Sequence, residues 1–282
     1  MKSLLRLAAL PLALALCGTV SSANSGQSTQ TPTRRWYDDI RLGTFGWAYG
    51  PALSQLSTGR ASTINGNPGN SPITITQQLN LNAPAHSIGK SGDFRYTFIN
   101  FLNWTPVAQP QGTSLLTVDN PWLGFAGTHL DQGSTQWWAR YEAAAALTSR
   151  SRDAGMLAAV RTVQIFTFTL DRQKKWTFWP VLVPEHRFVR DGSSNSLFLQ
   201  PNLTYAVNDR LSLGAFIEAF YIRPANSSIL NWQSAMDSTL ALSPTFRFKN
   251  GAFFQPFLNF YTGTAPSINT AHLGFYFGGR IL

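Results

Sequence analysis

Residues 196–221 read SLFLQPNLTYAVNDRLSLGAFIEAFY, two alternating runs joined by a turn. Leu197, Leu199, Pro201, Leu203, Tyr205 and Val207 share one parity. Ser196, Phe198, Gln200, Asn202, Thr204 and Ala206 share the other. Asn208-Asp209 makes the turn, because short polar side chains bond to their own main chain and tolerate left-handed backbone. Leu211, Leu213, Ala215, Ile217, Ala219 and Tyr221 then resume on one face, against Ser212, Gly214, Phe216, Glu218 and Phe220.

Downstream the pattern repeats. After a polar loop at residues 224–228, Leu240, Leu242, Pro244, Phe246 and Phe248 alternate with Ser243, Thr245 and Arg247. Asn250-Gly251 is a hairpin dipeptide. Phe254, Pro256, Leu258 and Phe260 then oppose Gln255, Asn259 and Tyr261. The connections run short, long, short, and each run has period two. Tilted strands of about ten residues, apolar on one side and mixed on the other, are the pattern of a transmembrane β-barrel. A soluble sandwich also alternates; the aromatics on the apolar face and the N-terminus favour the barrel.

Bulk composition agrees. Charged residues make up 12% and aromatics 13% of 282 residues, mean hydropathy is -0.09, and the net charge is +9. The length suits one barrel, residues 36–282, without a second domain. Residues 1–23 read as a cleaved secretory signal: Lys2 and Arg6, an apolar stretch, then Ser21-Ser22-Ala23. Lipid attachment at Cys17 is the other reading, disfavoured because Leu16 is not small. Cleavage after Ala23 removes Cys17 and leaves no cysteine for a disulfide. Residues 24–35 read as a flexible segment. The basic residues are scattered and the chain is exported, so nucleic acid is excluded as a partner and anion attraction is the expected use of the charge.

Upstream of the quoted stretch the spacing predicts seven further strands. Residues 36–50 form a first strand, and Ile73, Ile75, Leu79 and Leu81 mark a second. Phe94, Tyr96, Phe98, Leu102 and Trp104 mark a third, and residues 115–125 a fourth, interrupted by Asp119-Asn120-Pro121. Residues 137–148 read as strand rather than helix, since Trp137, Tyr141 and Leu147 share a parity against Trp138, Arg140 and Glu142. Residues 149–153 read as a charged turn. Residues 156–170 form a strand whose parity changes near Gln164, which predicts a β-bulge there. Trp176, Phe178, Pro180 and Leu182 face outward, and residues 184–195 read as polar loop. With a last strand at residues 272–282 the total is about twelve, all-β and antiparallel, an even number as in single-chain bacterial barrels.

The last strand sets Leu273, Phe275, Phe277 and Ile281 against His272, Tyr276 and Arg280. A terminal alternating strand with aromatics resembles the assembly signal of Gram-negative outer-membrane barrels, although this chain ends Arg280-Ile281-Leu282 where most of those end in Phe. Gln200-Pro201-Asn202, Ser243-Pro244-Thr245 and Gln255-Pro256-Phe257, with Trp179-Pro180-Val181 as a looser fourth, resemble the outward prolines of channel-type outer-membrane proteins. Since Pro removes a ladder donor, these four predict local irregularities or strand ends near a rim. The resemblance implies an outer-membrane channel exported through the Sec pathway. Its implied partners are the barrel-assembly machinery, outer-membrane lipid, lipopolysaccharide and small solutes; the oligomeric state stays open.

Chemistry is sparse. His129, Asp131 and Ser134 lie close in sequence, but a hydrolytic triad needs a base held beside a nucleophile, and this stretch reads as loop. His86, His186 and His272 lack metal-ligand spacing, and neither a phosphate loop nor a dinucleotide fingerprint is present, so no cofactor, metal or catalytic residue is expected. The candidate site is the lumen. Parity points Arg140, Glu142, Lys175, Gln200, Asn202, Glu218, Arg247, Gln255, Asn259, Tyr276 and Arg280 inward, with Arg95 in addition. Basic groups outnumber acidic ones in this set, which predicts a weak anion preference. Trp138, Trp179, Phe198, Phe216, Phe220, Phe253 and Phe257 also point inward, either as a packed plug or as a track for a sugar or aromatic solute. The expected function is passive diffusion of small solutes. The alternatives are a plugged structural or adhesive barrel and, behind it, a membrane-embedded hydrolase.

Overall fold

The computed structural model describes residues 40–52, 73–85, 94–107, 114–224, 227–228, 231–262 and 271–281. Expectations for the N-terminal signal, Cys17, residues 24–35 and His86 lie outside them. Twelve antiparallel strands form one closed ring. They are β1 (Arg41–Ala52), β2 (Ile73–Pro84), β3 (Arg95–Val107), β4 (Leu116–Val118 and Trp122–Gln132), β5 (Thr135–Ala145) and β6 (Met156–Thr169). There follow β7 (Trp176–Phe178 and Val181–Val189), β8 (Gly192–Gln200 and Asn202–Ala206), β9 (Leu211–Arg223), β10 (Gln233–Arg247), β11 (Phe253–Tyr261) and β12 (Ala271–Arg280). Each strand pairs with its neighbours in sequence. β12 returns to β1, with Gly43 across from Arg280 and Ala48 across from Phe275. Closure satisfies every strand without leaving an edge.

Three strands are split, each at a proline: β4 at Asn120-Pro121, β7 at Trp179-Pro180 and β8 at Pro201. Side-chain parity continues across each break in β7 and β8, so these are interruptions of the ladder and not changes of face. Pro244 and Pro256 sit inside unbroken strands. Pro180 and Pro201 thus make the local irregularities expected from sequence, whereas Pro244 and Pro256 do not interrupt their strands; each of the four points outward, where a proline ring lies among apolar side chains.

The outer surface is an apolar belt. Leu81, Phe98, Leu123, Val160, Leu203, Leu213, Ile217, Leu242, Phe254 and Leu273 are all exposed. At the end of the tight turns an aromatic group joins it. His129 stacks on Trp137 at 4.6 Å between ring centroids, meets Phe94 edge-on at 5.2 Å, and Trp137 stacks on Phe166 at 5.8 Å. Aromatic girdles of this kind flank the apolar band of membrane barrels.

Four details differ from the sequence expectation. Residues 184–195 are not loop. β7 and β8 run through them as a hairpin, with Gly192 across from Val189 and Asn195 from His186. They carry polar side chains on both faces, which hid the period. β4 continues through His129 to Gln132. No bulge lies at Gln164: the β5–β6 register is continuous from Thr135↔Phe168 to Ala145↔Ala158, and the shift sits at Met156/Ala158 against β7. The apparent parity change arose because Val163 and Ile165 face inward with Arg161. Residues 149–153, read as a turn, form one helical turn, α1 (Ser149–Asp153), capped by Thr148, whose Oγ1 accepts from Ser151 N.

Candidate functional site: the barrel interior

Two packed clusters line opposite walls. On β9–β12, Phe216, Ala241, Phe257 and Tyr276 are buried together, with Phe45 and Phe253 against them. The Tyr276 hydroxyl donates to Glu218 Oε1, and Gln200 Nε2 donates to the same oxygen at 2.9 Å. Glu218 is fully buried. Such a carboxylate needs donors, because an uncompensated buried charge is destabilising by several kcal/mol. Across the lumen, Ile99, Phe101, Trp122, Ala144 and Ala159 form the second cluster. Over it lies a charged triplet. Glu142 faces Arg161 directly across the β5–β6 ladder and accepts from its Nε at 2.6 Å, while Arg140 Nε lies 2.9 Å from the other oxygen. The Arg161 guanidinium stacks 3.9 Å from the Trp122 ring and 5.1 Å from Phe101. Trp47 packs against both clusters, with its ring 6.1 Å from Phe101 and 5.6 Å from Phe45.

Between the walls runs a cavity of about 1200 Å³. Its polar lining includes Gln78, Asn103, Arg140, Arg161, Gln200 and Tyr276. β6 and β7 contribute an apolar stripe, Val163, Ile165, Trp179, Val181 and Val183. A smaller cavity of about 350 Å³ opens at the turn end among Arg41, Arg140 and Arg280. The two share Asn80, Trp138 and Arg140, which therefore form the neck between chamber and turn-end mouth.

At the loop end α1 lies across the mouth, and Arg150, Ser151 and Ala154 line the chamber. Asn120 holds it there. Its Oδ1 accepts from Leu147 N at 2.8 Å and Thr148 N at 2.9 Å, and its Nδ2 donates to Ser151 Oγ at 2.5 Å. From sequence Asn120 reads only as part of a strand break; its position before Pro121, which biases it toward extended backbone, was the signal available.

Of the residues expected inside, Arg140, Gln200, Asn202, Glu218, Phe220, Gln255 and Tyr276 line the chamber. Glu142 is buried beneath Arg140 and Arg161. Asn259 is buried at 6% exposure, and Phe216 is buried in the aromatic cluster with its ring 5.4 Å from Phe257. Arg280 borders the turn-end mouth. Arg247 lies near that end, its Nη1 donating to Ser212 Oγ at 3.0 Å. Lys175 stands exposed at the turn end just before β7, outside the chamber lining, and its carbonyl accepts from Ala206 N at 2.8 Å. Trp138, Trp179, Phe198 and Phe253 join the lining. Sequence reasoning missed Arg161, Arg187 and the inward valines, because β6 and β7 alternate weakly.

His129, Asp131 and Ser134 do not assemble into a triad. The His129 ring is held by Trp137 and Tyr141 on the outer face, and Asp131 accepts from Gln136 Nε2 at 3.5 Å.

No family model matches the sequence, and no curated protein matches it either. Among solved structures, the barrel is similar to an outer membrane channel from Pseudomonas putida F1. The TM-score is 0.54 at 11% identity, over 92% of this chain and 100% of that one. That likeness shows the fold. The NanC porin (TM-score 0.46, 6% identity, 84% of this chain and 97% of that one) and the TodX monoaromatic hydrocarbon channel (0.36, 7%, 86% and 88%) are more distant.

Proposed function

We propose that this chain is an outer-membrane channel for passive diffusion of small solutes, with residues 1–23 as its Sec export leader and a weak preference for anions. The observation that carries the reading is the chamber itself. A barrel's diameter grows with strand number, and about eight strands are just wide enough for side chains to fill; here, with twelve, about 1200 Å³ remains between the packed walls. The exposed apolar belt supports the membrane setting.

Charge supports the anion preference and keeps it weak. Arg41, Arg140 and Arg280 border the turn-end mouth. Within the chamber Arg140, Arg150, Arg161 and Arg187 are offset by Asp119, Glu185 and Glu218, with Glu142 beneath. Rings of charged side chains set ion preference in pores. The apolar stripe on β6 and β7 favours solutes that pair an anionic group with an apolar body, since a ring of water and charge alone gains nothing from valine.

Single-channel recording of the refolded mature chain in a planar bilayer tests this. Discrete steps with a reversal potential displaced toward the anion are expected in a salt gradient. Silence from a heat-modifiable, folded barrel would instead favour a closed structural barrel, and cation selectivity would remove the anion assignment.

A further inference from the structure

The outer face of β7, β8 and β9 changes character toward the loop end. Leu182, Leu197, Leu199 and Ile217 give way to His186, Asn195 and Arg223, which stand side by side on three adjacent strands. The Asn195 amide bridges the other two. One of its atoms lies 2.8 Å from His186 Nδ1, and the other accepts from Arg223 Nε at 3.1 Å and from Nη2. A guanidinium only donates, so the amide oxygen faces Arg223 and the amide nitrogen faces His186. His186 Nδ1 is then an acceptor, and the ring carries its proton on Nε2. Phe188 closes one side of the ring, edge-on at 4.5 Å.

This is an unusual composition for an outward surface. Among the described residues no carboxylate pairs with Arg223; Glu185 faces the lumen, bound to Arg187 Nε. A cation on the lipid side of a barrel is tolerated near the interface and strongly unfavourable at mid-depth, and the end of β9 places Arg223 at the rim. Arg190 stands exposed at the tip of the β7–β8 hairpin and Arg152 on α1. The Arg190 N–H donates to Gly155 O at 2.9 Å, tying the hairpin to the α1 loop.

We propose that His186, Asn195 and Arg223 form a binding site for the phosphate of a lipid headgroup in the leaflet that meets the loop end. Asn195 fixes the guanidinium plane, leaving the remaining N–H groups of Arg223 for phosphate oxygens in the forked geometry that arginine favours. His186 Nε2–H supplies a further donor. Leu182 and Leu197 lie below, where acyl chains would run. The site rests on the barrel spanning a membrane, but not on its conducting.

The test uses the full chain, refolded in detergent and presented with phosphatidic acid or phosphatidylcholine, with retained lipid counted by native mass spectrometry. Phosphatidic acid should be held about tenfold more tightly, as charge-assisted bonds to a phosphate require. Arg223→Gln should abolish the preference and His186→Gln reduce it, while Arg172→Gln, on a turn at the opposite end, leaves it unchanged. Equal retention of both lipids by the unaltered chain overturns the site, as does a preference that survives Arg223→Gln. Displacement by an equal concentration of inorganic phosphate would assign it to free phosphate and overturn the lipid. Should Arg223→Gln fail to fold, Arg223→Lys, which keeps charge without the fork, and His186→Gln decide: full preference in both overturns the proposal. Insertion into phosphatidylcholine vesicles, read by heat-modifiable migration, is scored separately. A barrel that inserts but shows no headgroup preference loses the lipid site and keeps the channel reading.

Discussion

Pro180 on β7 stands directly across from Pro201 on β8, bracketed by the pairs Phe178↔Leu203 and Val181↔Gln200. Neither proline removes a bond from the other. Pro180 O accepts from Phe166 N of β6, and Pro201 O accepts from Ile217 N of β9, so both backbones turn away from their shared seam. In an antiparallel ladder a residue's N–H and C=O point to the same side, so the missing donors also face outward, to β6 and β9. Pro244 and Pro256 repeat the arrangement on β10 and β11, between Leu242↔Leu258 and Phe246↔Phe254. Each substitution Pro180→Ala and Pro201→Ala regains one ladder bond, a net stabilisation of about 1 kcal/mol. Each also frees the unfolded chain, which offsets about 0.4–1 kcal/mol. Both variants should fall within about 1 kcal/mol of the parent. Urea unfolding in detergent or lipid checks it; a shift well beyond that in either variant would show that the prolines do more at the seam than withhold a donor.

The neck is the second point of control. Arg140→Gln removes a cation shared by chamber and mouth, and the anion-to-cation permeability ratio should fall. Trp138→Ala should raise conductance with less change in that ratio. Bi-ionic reversal potentials and conductance steps separate the two, and an unchanged ratio in Arg140→Gln would move the selectivity elsewhere.

Burial ranks the ion pairs. Arg161 and Glu142 are 12% and 0% exposed at their side chains, Arg187 and Glu185 52% and 10%. Arg161→Met strips a buried carboxylate of one partner and bares Trp122, so about 3 kcal/mol of stability should be lost. Arg187→Met should cost below about 1 kcal/mol. The two unfolding midpoints, measured side by side, give the comparison, and equal shifts would contradict it.

Tyr276→Phe takes a hydroxyl donor from Glu218, leaving Gln200 on the same oxygen. Loss of a hydrogen bond to a buried charged acceptor is destabilising by about 2 kcal/mol. Thermal unfolding of the folded barrel tests this, and a neutral substitution would mean that Glu218 is held by other groups.

Asn120 restrains α1 through three hydrogen bonds. Asn120→Ala should leave the barrel folded and increase open-channel noise, since the α1 loop then moves in the mouth. Recordings as quiet as the parent would show that the loop is held by its own cap at Thr148.

Residues 196–261 were legible because one face meets an apolar surround and the other a polar interior; their parity survives through most of β8–β11. The upstream strands were harder for the same physical reason reversed. Val163, Ile165, Val181 and Val183 are apolar residues facing the lumen, while His186 and Asn195 are polar residues facing out. Alternation fades where the two faces resemble each other, which turned a hairpin into an apparent loop and an unbroken register into an apparent bulge. The inward Arg140 on β5 followed from parity, but Arg161 did not, and the loop-end brace at Asn120 depends on contacts far apart in sequence.

Because β1 finds its second partner only in β12, assembly ends with a ring closure spanning most of the polypeptide. Loop entropy rises slowly with length, yet pairing between distant segments is what slows folding most. Until that last seam zips, β1 and β12 each expose an unpaired row of backbone donors and acceptors, and any other chain in reach can template on them. The hazard in this protein's life therefore lies in the nearly finished ring, and whatever escorts the chain to its bilayer has to shield those two edges longest.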